Sequence, residues 1–460
     1  MDRRNFLKAS GTVAGSMLLS SAFGNTLDFA QAGVKKKRYA LIGCGHRGTG
    51  MWLKELVDNG YRDYLDFVGL CDSNPGRLEF AKRVLQDPNC PTYADFDKML
   101  SETKPDIVMV CTPDSNHHKF IVKALNFGAD VISEKPMTTD EAKCQEILDA
   151  QKRTGKKLTV TFNYRYAPHR SKMWEIIRSG EIGDLTSVDF NWYLDTSHGA
   201  DYFRRWHGFR EKAGVYSNTK DTAGGGTLLI HKSTHHFDLL NWWIGSEPEE
   251  AFAYGSLEFY GKNGKFRGKN CRSCAHKTEC DFYWDATKSQ RIVDLYLKNE
   301  HYDGYFRDGC VFREDIDIFD KMGVSFRYKN NVQAVYSLTT YSPYEGYRIA
   351  FNGTKGRLEA WIKERQPWEE AEEGDVLQVT KMFGKRKIIR VMPQKGGHAG
   401  GDPIMLARIF KHPDAPDEFK QSAGVREGTM SILMGIAARN SIDTGKPVKI
   451  GSLTSLKPEA

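Results

Sequence analysis

The segment KRYALIGCGHRGTGMWLKELV, residues 37 to 57, constrains the fold more than any other stretch. A short apolar run, Tyr39 to Ile42, leads directly into Gly43-Cys44-Gly45-His46-Arg47-Gly48. A helical pattern then continues through Val57. G-x-G-x-x-G between a strand and a helix is the turn that receives a dinucleotide pyrophosphate. Gly43 allows the tight turn, Gly45 lets the backbone approach the phosphates, and Gly48 lets helix and strand pack closely. The helix N-terminus offers free N–H groups and a positive dipole end.

The next strand, YLDFVGLCD, ends in Asp72, 24 residues beyond Gly48. That is near the usual spacing for the acid that binds a ribose 2′-hydroxyl. A carboxylate there repels a 2′-phosphate, so NAD is favoured over NADP, although Arg77 lies close by. Alternation continues. DFDKMLSET and NHHKFIVKALNFG read as helices, and PDIVMVCTP and ADVISEKP as strands. TTDEAKCQEILDAQKRTG reads as a helix capped by Thr138 or Thr139, and KLTVTFNYRY as a further strand. Such alternation gives an α/β, doubly wound parallel sheet of the Rossmann type. Ligands bind beyond the carboxyl ends of its strands. The expected cofactor residues are therefore Gly43, Gly45, His46, Arg47, Gly48, Asp72, Arg77, Thr112, Pro113, Asn116, His117, Glu134, Lys135, Asn163 and Arg165.

At 460 residues the chain is long enough for two domains. The net charge of +7 is concentrated at the N-terminus. Residues 1 to 38 hold seven cations and two acids, which leaves the rest near +2. No basic stripe points to nucleic acid. The start, MDRRNFLKAS followed by GTVAGSMLLSSAFG, places Arg3-Arg4 before a short, weakly apolar run. It resembles a twin-arginine signal, an address read by the twin-arginine export machinery for chains exported already folded. The run is too short and polar for a stable membrane span. Residues 1–32 are the expected signal, with a cleavage site near Ala30-Gln31-Ala32, and the periplasm or another exported location is the expected destination. A chain that folds before export can leave with its cofactor loaded.

The pieces ALIGCGHRG, CTPDSNHHKFIVKAL, ADVISEKPMTTD, NYRYAPHRSKMWEIIRSGEIGDL and YRIAFNGTKGRLE resemble, in order, the glucose–fructose oxidoreductase and inositol dehydrogenase (Gfo/Idh/MocA) family. The resemblance is strongest before about residue 188 and loosest from about 190 to 320. It implies a Rossmann domain over 33–160 and an α+β domain over 161–460 with a large, mostly antiparallel open sheet. That domain would carry a cysteine-containing insertion over about 260–312. The sheet face often serves as a subunit interface in the family, so a homo-dimer or tetramer is expected. The C-terminal segment, helical through Asn440, is expected to pack back on the first domain.

The resemblance also implies that Lys135 points at substrate beside the nicotinamide. A cationic lysine there stabilises the alkoxide character that develops as hydride leaves carbon. The bland alternative is a salt bridge to Glu134. In TAGGGTLLIHKSTHHFDLLNWW the family register makes His235 the proton acceptor, and His231 stands where the family has an aspartate. A carboxylate supporting the imidazole would then come from elsewhere, such as Asp195 or Asp221. Three readings stand: proton relay through His235 with His231 as partner or substrate ligand; a metal on His231 and His235 with a third ligand; or helix histidines satisfied by polar neighbours. Spaced four apart, the two would share one helix face.

Candidate substrate residues are Tyr164, Asp195, His198, Arg205, Trp206, His207, Lys232 and His398. Several lie in the loop-like DTSHGADYFRRWHGF, and His398 lies in the glycine-rich GGHAGGDP. Cys44, Cys71, Cys90, Cys111 and Cys144 read as buried. Cys271, Cys274 and Cys280, spaced C-x2-C-x5-C, join Cys310 as candidates for a structural zinc, an iron–sulfur cluster or disulfides. The combined expectation is an exported enzyme with tightly held NAD that oxidises a sugar or glycoside hydroxyl, at C3 among the options. Two alternatives are an NAD-dependent glycosidase working by transient oxidation and elimination, and a sugar-binding sensor without catalysis.

Overall fold

The computed structural model describes residues 36–210, 224–370 and 373–460, and Lys37–Ala460 forms one compact unit. The expected signal and Asp221 lie outside the described residues. The first sheet contains β1 (Lys37–Ile42), β2 (Leu65–Cys71), β3 (Thr92–Tyr93), β4 (Ile107–Val110), β5 (Asp130–Ser133) and β6 (Leu158–Val160). All pair in parallel, in the order β3-β2-β1-β4-β5-β6. The order reverses between β1 and β4, which opens a crevice at their carboxyl ends.

Local chemistry explains the elements. β4 (Ile-Val-Met-Val) is buried along its whole length, as a central parallel strand should be. The helix Pro75–Leu85 begins with proline at its first position and Asn74 as cap. The helix Glu141–Thr154 is capped by Asp140, whose carboxylate accepts from the Lys143 amide at 2.9 Å. This corrects the expectation of Thr138 or Thr139, both of which are buried ahead of it. Gly43 has φ +94°, and a Cβ there would meet the Cys111 carbonyl oxygen at 2.5 Å. A Cβ on Gly48 would lie 2.0 Å from the Gly43 oxygen. The helical run after the glycines is three short turns, with a wider turn over Gly50–Lys54 in the middle.

The second sheet contains β7 (Leu185–Asp195), β8 (Pro248–Ser256), β9 (Lys321–Tyr328), β10 (Gln333–Ser342), β11 (Glu345–Gly353), β12 (Gly356–Arg365), β13 (Asp375–Lys381), β14 (Arg386–Val391) and β15 (Val448–Lys449). Its order is β14-β13-β12-β11-β7-β10-β9-β8-β15, antiparallel throughout except for β7 with β10. β9 alternates strictly between exposed and buried residues, so one face is covered and the other open. The covered face packs on the helix Ser233–Ile244, where Phe237 meets Phe326 and Tyr336 at about 5 Å between ring centres. The open face carries Val335 and Trp361 at 51% and 39% exposure, a sizeable apolar presence. Among the described residues no helix is long and apolar enough to cross a membrane.

The two layers are joined by buried contacts. The C-terminal helix Val425–Thr444 packs against β6 and the helix Glu141–Thr154 on one side, and its Gly435 admits the Leu229 backbone on the other. Phe410 packs against Tyr39, Trp52 and Tyr61. Arg165, just past β6, reaches Asp238 with Nε and Nη2 at 2.7 and 2.6 Å, and both side chains are almost fully buried. Arg165 is thus a tie between layers and does not line the nucleotide crevice, which corrects its place among the cofactor residues. A lone buried charge is costly. Asp238→Ala should therefore lower unfolding free energy by about 3–5 kcal/mol, read as the urea midpoint. A midpoint unchanged within error would show that the pair is not a structural tie.

Candidate active site

The crevice beyond β1, β2, β4 and β5 continues into a cavity of about 550 Å³ roofed by the second domain and by the insertion. At the nucleotide end, Gly43, Gly45, His46, Arg47, Asp72 and Arg77 line it. Gly48 stands behind and serves the close packing already described. Asp72 accepts from the Cys44 and Asn74 amides at 2.8 and 2.9 Å and from Arg77 Nε at 3.1 Å. Arg77 is held on its other side by Asp303 at 2.5 Å. No periodicity or motif around Asp303 marks that second carboxylate in the sequence. Tyr296, also from the insertion, accepts from the His46 amide at 2.8 Å.

Thr112, Pro113, Asn116 and His117 follow β4 and line the middle of the cavity. The His117 ring nitrogens face the Pro136 and Thr112 carbonyls at 2.8 and 2.7 Å, which braces the turn carrying Lys135. Glu134 accepts from Arg47 at 2.6 Å and Trp52 at 2.8 Å. The carboxylate is therefore committed elsewhere, and Lys135 instead donates to the His231 carbonyl at 3.4 Å. Burial pushes the Lys135 ammonium well below the ordinary lysine range, opposed by Asp114. Burial pushes the Asp114 carboxyl up, opposed by Lys135 and Arg205.

The histidines separate. A break at Lys232 divides the helix Leu228–His231 from Ser233–Ile244, so His231 and His235 belong to different helices while both line the cavity. His231 Nδ1 and Asp114 Oδ2 share a hydrogen bond across the domain seam. Asp114 thus gives a carboxylate partner to His231, not to His235 as expected; Asp195 is engaged elsewhere and Asp221 lies outside the described residues. Asp114 lies in the segment CTPDSNHHKFIVKAL, and its position just past β4 was the available signal. His235 stacks flat on Tyr164, 4.0 Å between centres and 7° between planes. His207 lies 3.9 Å from the His231 ring, and both its nitrogens are buried without a hydrogen-bond partner. Burial holds His207, His231 and His235 well below the usual imidazole range, and Lys135 adds to the effect for all three.

Among the described residues, the group close enough to share an ion is Asp114, His207 and His231. This corrects the pairing of His231 with His235 as metal ligands. The Lys135 ammonium beside this group, and the His231–Asp114 bond within it, suit proton transfer better than a cation.

The remaining residues form the substrate wall. Lys232 donates to the Tyr164 hydroxyl at 2.7 Å. His398 Nδ1 sits 2.8 Å from Asp402 and 2.9 Å from Asn163 Nδ2. Trp206 stacks on His207 at 3.5 Å, and Arg205 pairs with Asp201 at 3.0 Å. His198 Nδ1 faces Glu345 at 2.7 Å, and its Nε2 faces Tyr202 at 2.9 Å. All but Glu345 and Asp402 of these line the cavity. Asp195 does not: its side chain caps the helix Thr196–Arg204, accepting from the Ser197 and His198 amides at 2.8 Å, and pairs with Arg365. The stretch read as a loop is this helix, because aspartate directly ahead of Thr-Ser is a strong N-cap.

The sequence matches the oxidoreductase family's NAD-binding Rossmann fold over residues 37–162 and its C-terminal alpha/beta domain over 175–450. YteT of Bacillus subtilis (strain 168), named as an oxidoreductase, is 36% identical over 92% of this chain and 99% of its own length. The D-glucoside 3-dehydrogenase of Escherichia coli (strain K12) is 29% identical over 45% of this chain and 54% of its own. Among solved structures, a levoglucosan dehydrogenase in complex with NADH and levoglucosan superposes with TM-score 0.62 at 17% identity, covering 90% of this chain and all of that one. The aldose-aldose oxidoreductase of Caulobacter crescentus gives 0.59 at 18% identity, also over 90% and 100%. With both domains matched and the glycine loop, Asp72 and Lys135 meeting in one crevice, the chain belongs to the Gfo/Idh/MocA family of NAD-binding oxidoreductases.

Proposed function

We propose that the protein oxidises a secondary hydroxyl of a sugar or glycoside with NAD, and that the Asp114–His231 pair takes the hydroxyl proton. The observation that carries this is the meeting of Lys135 with Asp114–His231 at the carboxyl ends of β4 and β5. The similarity to a D-glucoside 3-dehydrogenase, a levoglucosan dehydrogenase and an aldose-aldose oxidoreductase supports a carbohydrate substrate. The dinucleotide, when bound, supplies the hydride acceptor. The residues at the nucleotide end fit it: glycine backbone for phosphates and Asp72 for a ribose hydroxyl. Arg77 is clamped between Asp72 and Asp303, so its charge is already matched, which favours NAD over NADP.

The chemistry follows from the side chains. As the carbinol C–H departs with its electron pair, negative charge grows on oxygen, and the Lys135 ammonium stabilises it. His231 has Nδ1 committed to Asp114, so Nε2 is the nitrogen left to accept the proton. Asp114 fixes the tautomer and stabilises the imidazolium, the logic of a carboxylate–histidine pair. His235 has no carboxylate in this role and is crowded by Lys135, Lys232 and His398, so it serves better as a neutral wall of the site. Trp206 offers an aromatic face for the C–H surface of a sugar ring. The Arg3-Arg4 pattern supports placing this activity outside the cytoplasm.

A second reading, redox-neutral glycoside cleavage by oxidation and elimination, is favoured by the second acid–base set, Glu345–His198–Tyr202, at the same cavity. Both readings are tested on purified protein by identifying the bound nucleotide and screening glycosides. Reduced-nicotinamide absorbance without released aglycone is the expected result. Aglycone without net reduction selects the second reading, and a nucleotide whose spectrum no sugar alters points to a sensor.

Lys135→Met and His231→Ala should each lower kcat by about 10²–10³-fold, with nucleotide affinity changed only a few-fold. His235→Ala should cost less than His231→Ala; the reverse ranking would return the base to His235. Since burial lowers Lys135, its charge is lost as pH rises, and kcat/KM should fall on an alkaline limb well below the ordinary lysine range. Lys135→Arg should move that limb upward, and an unmoved limb would assign it to another group. Asp303→Asn, which frees Arg77 from one carboxylate, should reduce the preference for NAD over NADP about tenfold, measured by titrating both.

A further inference from the structure

The insertion holds a second cluster that the redox chemistry does not use. Cys271, Cys274, Cys280 and Cys310 line one small cavity of about 20 Å³, together with Arg204, His276 and Phe282. Residues far apart in sequence meet there because an isolated bridge joins Asn270 to Gly309, and the Cys271 amide donates to the Asp308 carbonyl at 2.9 Å.

Three of the four sulfurs accept a hydrogen bond. The His276 amide donates to Cys274 Sγ at 3.4 Å, and the Phe312 amide to Cys310 Sγ at 3.4 Å. Burial raises the Cys280 thiol, opposed by the Phe282 backbone. For Cys274 and Cys310 the donor lies two residues beyond the cysteine. Cys271 Sγ instead accepts from Arg204 Nη1 at 3.0 Å, a buried guanidinium that also binds the Gly309 and Phe282 carbonyls. A neutral thiol is a weak acceptor, so two repeated amide–sulfur turns and one arginine gathered at one cavity suit sulfur that carries negative charge. Four uncompensated thiolates around one cavity would repel one another, whereas a bound cation balances them.

We propose that Cys271, Cys274, Cys280 and Cys310 are the thiolate ligands of a structural metal centre that anchors the insertion over the nucleotide crevice. The shared chemistry is four-sulfur ligation, by a zinc ion or by an iron–sulfur cluster. The sulfurs are not packed as closely as the Asp114, His207 and His231 group, whose ligand atoms all lie within 4.8 Å of one another. Binding therefore draws them inward around one ion or leaves them spaced around a cluster. Each cysteine that ligates gives up its thiol proton, and Arg204 offsets part of the residual negative charge.

The consequence reaches the crevice. Arg307, three residues before Cys310, pairs with Asp201 at 2.6 Å, and Asp303 and Tyr296 touch Arg77 and the His46 amide. Loss of the centre should loosen this wall and weaken nucleotide binding.

The test is elemental and acid-labile-sulfide analysis of the full-length protein purified anaerobically without chelator. About one zinc per chain, or iron with matching sulfide, is expected, together with cysteines resistant to a thiol reagent until the metal is displaced. Cys274→Ser with Cys280→Ser, the two more exposed ligands, should lose the metal, lower Tm and weaken NAD binding several-fold. Metal-free wild type, with its thiols titrating freely or its mass showing disulfides, would overturn the proposal. So would metal retained by the double variant. These readouts do not depend on turnover, so they stand apart from the proposed oxidation of sugars.

Discussion

A lysine ammonium buried at the seam of two sheets is the constraint around which the rest of the molecule is arranged. Removed from water, Lys135 keeps its charge only if nearby groups replace the lost solvation. Asp114 and the His231 carbonyl do this, and they come from opposite sides of the seam. Burial lowers the ammonium and raises the carboxyl toward one another, so these two lie near the point of exchanging a proton. Such groups are costly to bury for stability alone and useful for catalysis.

The surrounding structure keeps that balance in register. Glu134 is occupied by Arg47 and Trp52, so it does not neutralise Lys135 directly. His117 braces the Lys135 turn from below, and the Arg165–Asp238 pair fixes the layer that delivers His231. Tyr164 is held between the stacked His235 ring and the Lys232 ammonium, which stiffens the far wall. Each contact constrains position more than it adds net stability, since buried charge pairs gain little after desolvation.

What the sequence revealed depended on how local the physics was. The glycine loop and Asp72 were legible because backbone close approach demands glycine within a few residues of a strand end. Lys135 was legible from its place after β5 and from family resemblance. Asp114 was missed because its partner lies 117 residues away, across a contact no local pattern encodes. Asp195 and Arg165 were misplaced because a carboxylate suits a helix cap as well as a sugar, and a guanidinium suits a domain tie as well as a phosphate. The insertion's part in the crevice was invisible, since Tyr296, Asp303 and Arg307 follow no periodicity. Its four cysteines were nonetheless conspicuous by spacing.

The hydroxyl of Tyr296 occupies the amide of His46, on the loop where a pyrophosphate would rest. Arg291 of the same insertion grips the His46 carbonyl and Thr49. A dinucleotide therefore competes with a clasp from outside the Rossmann domain on its way in, and is hemmed by that clasp once seated. Entry and exit of a dinucleotide at this loop would then both require the clasp to open.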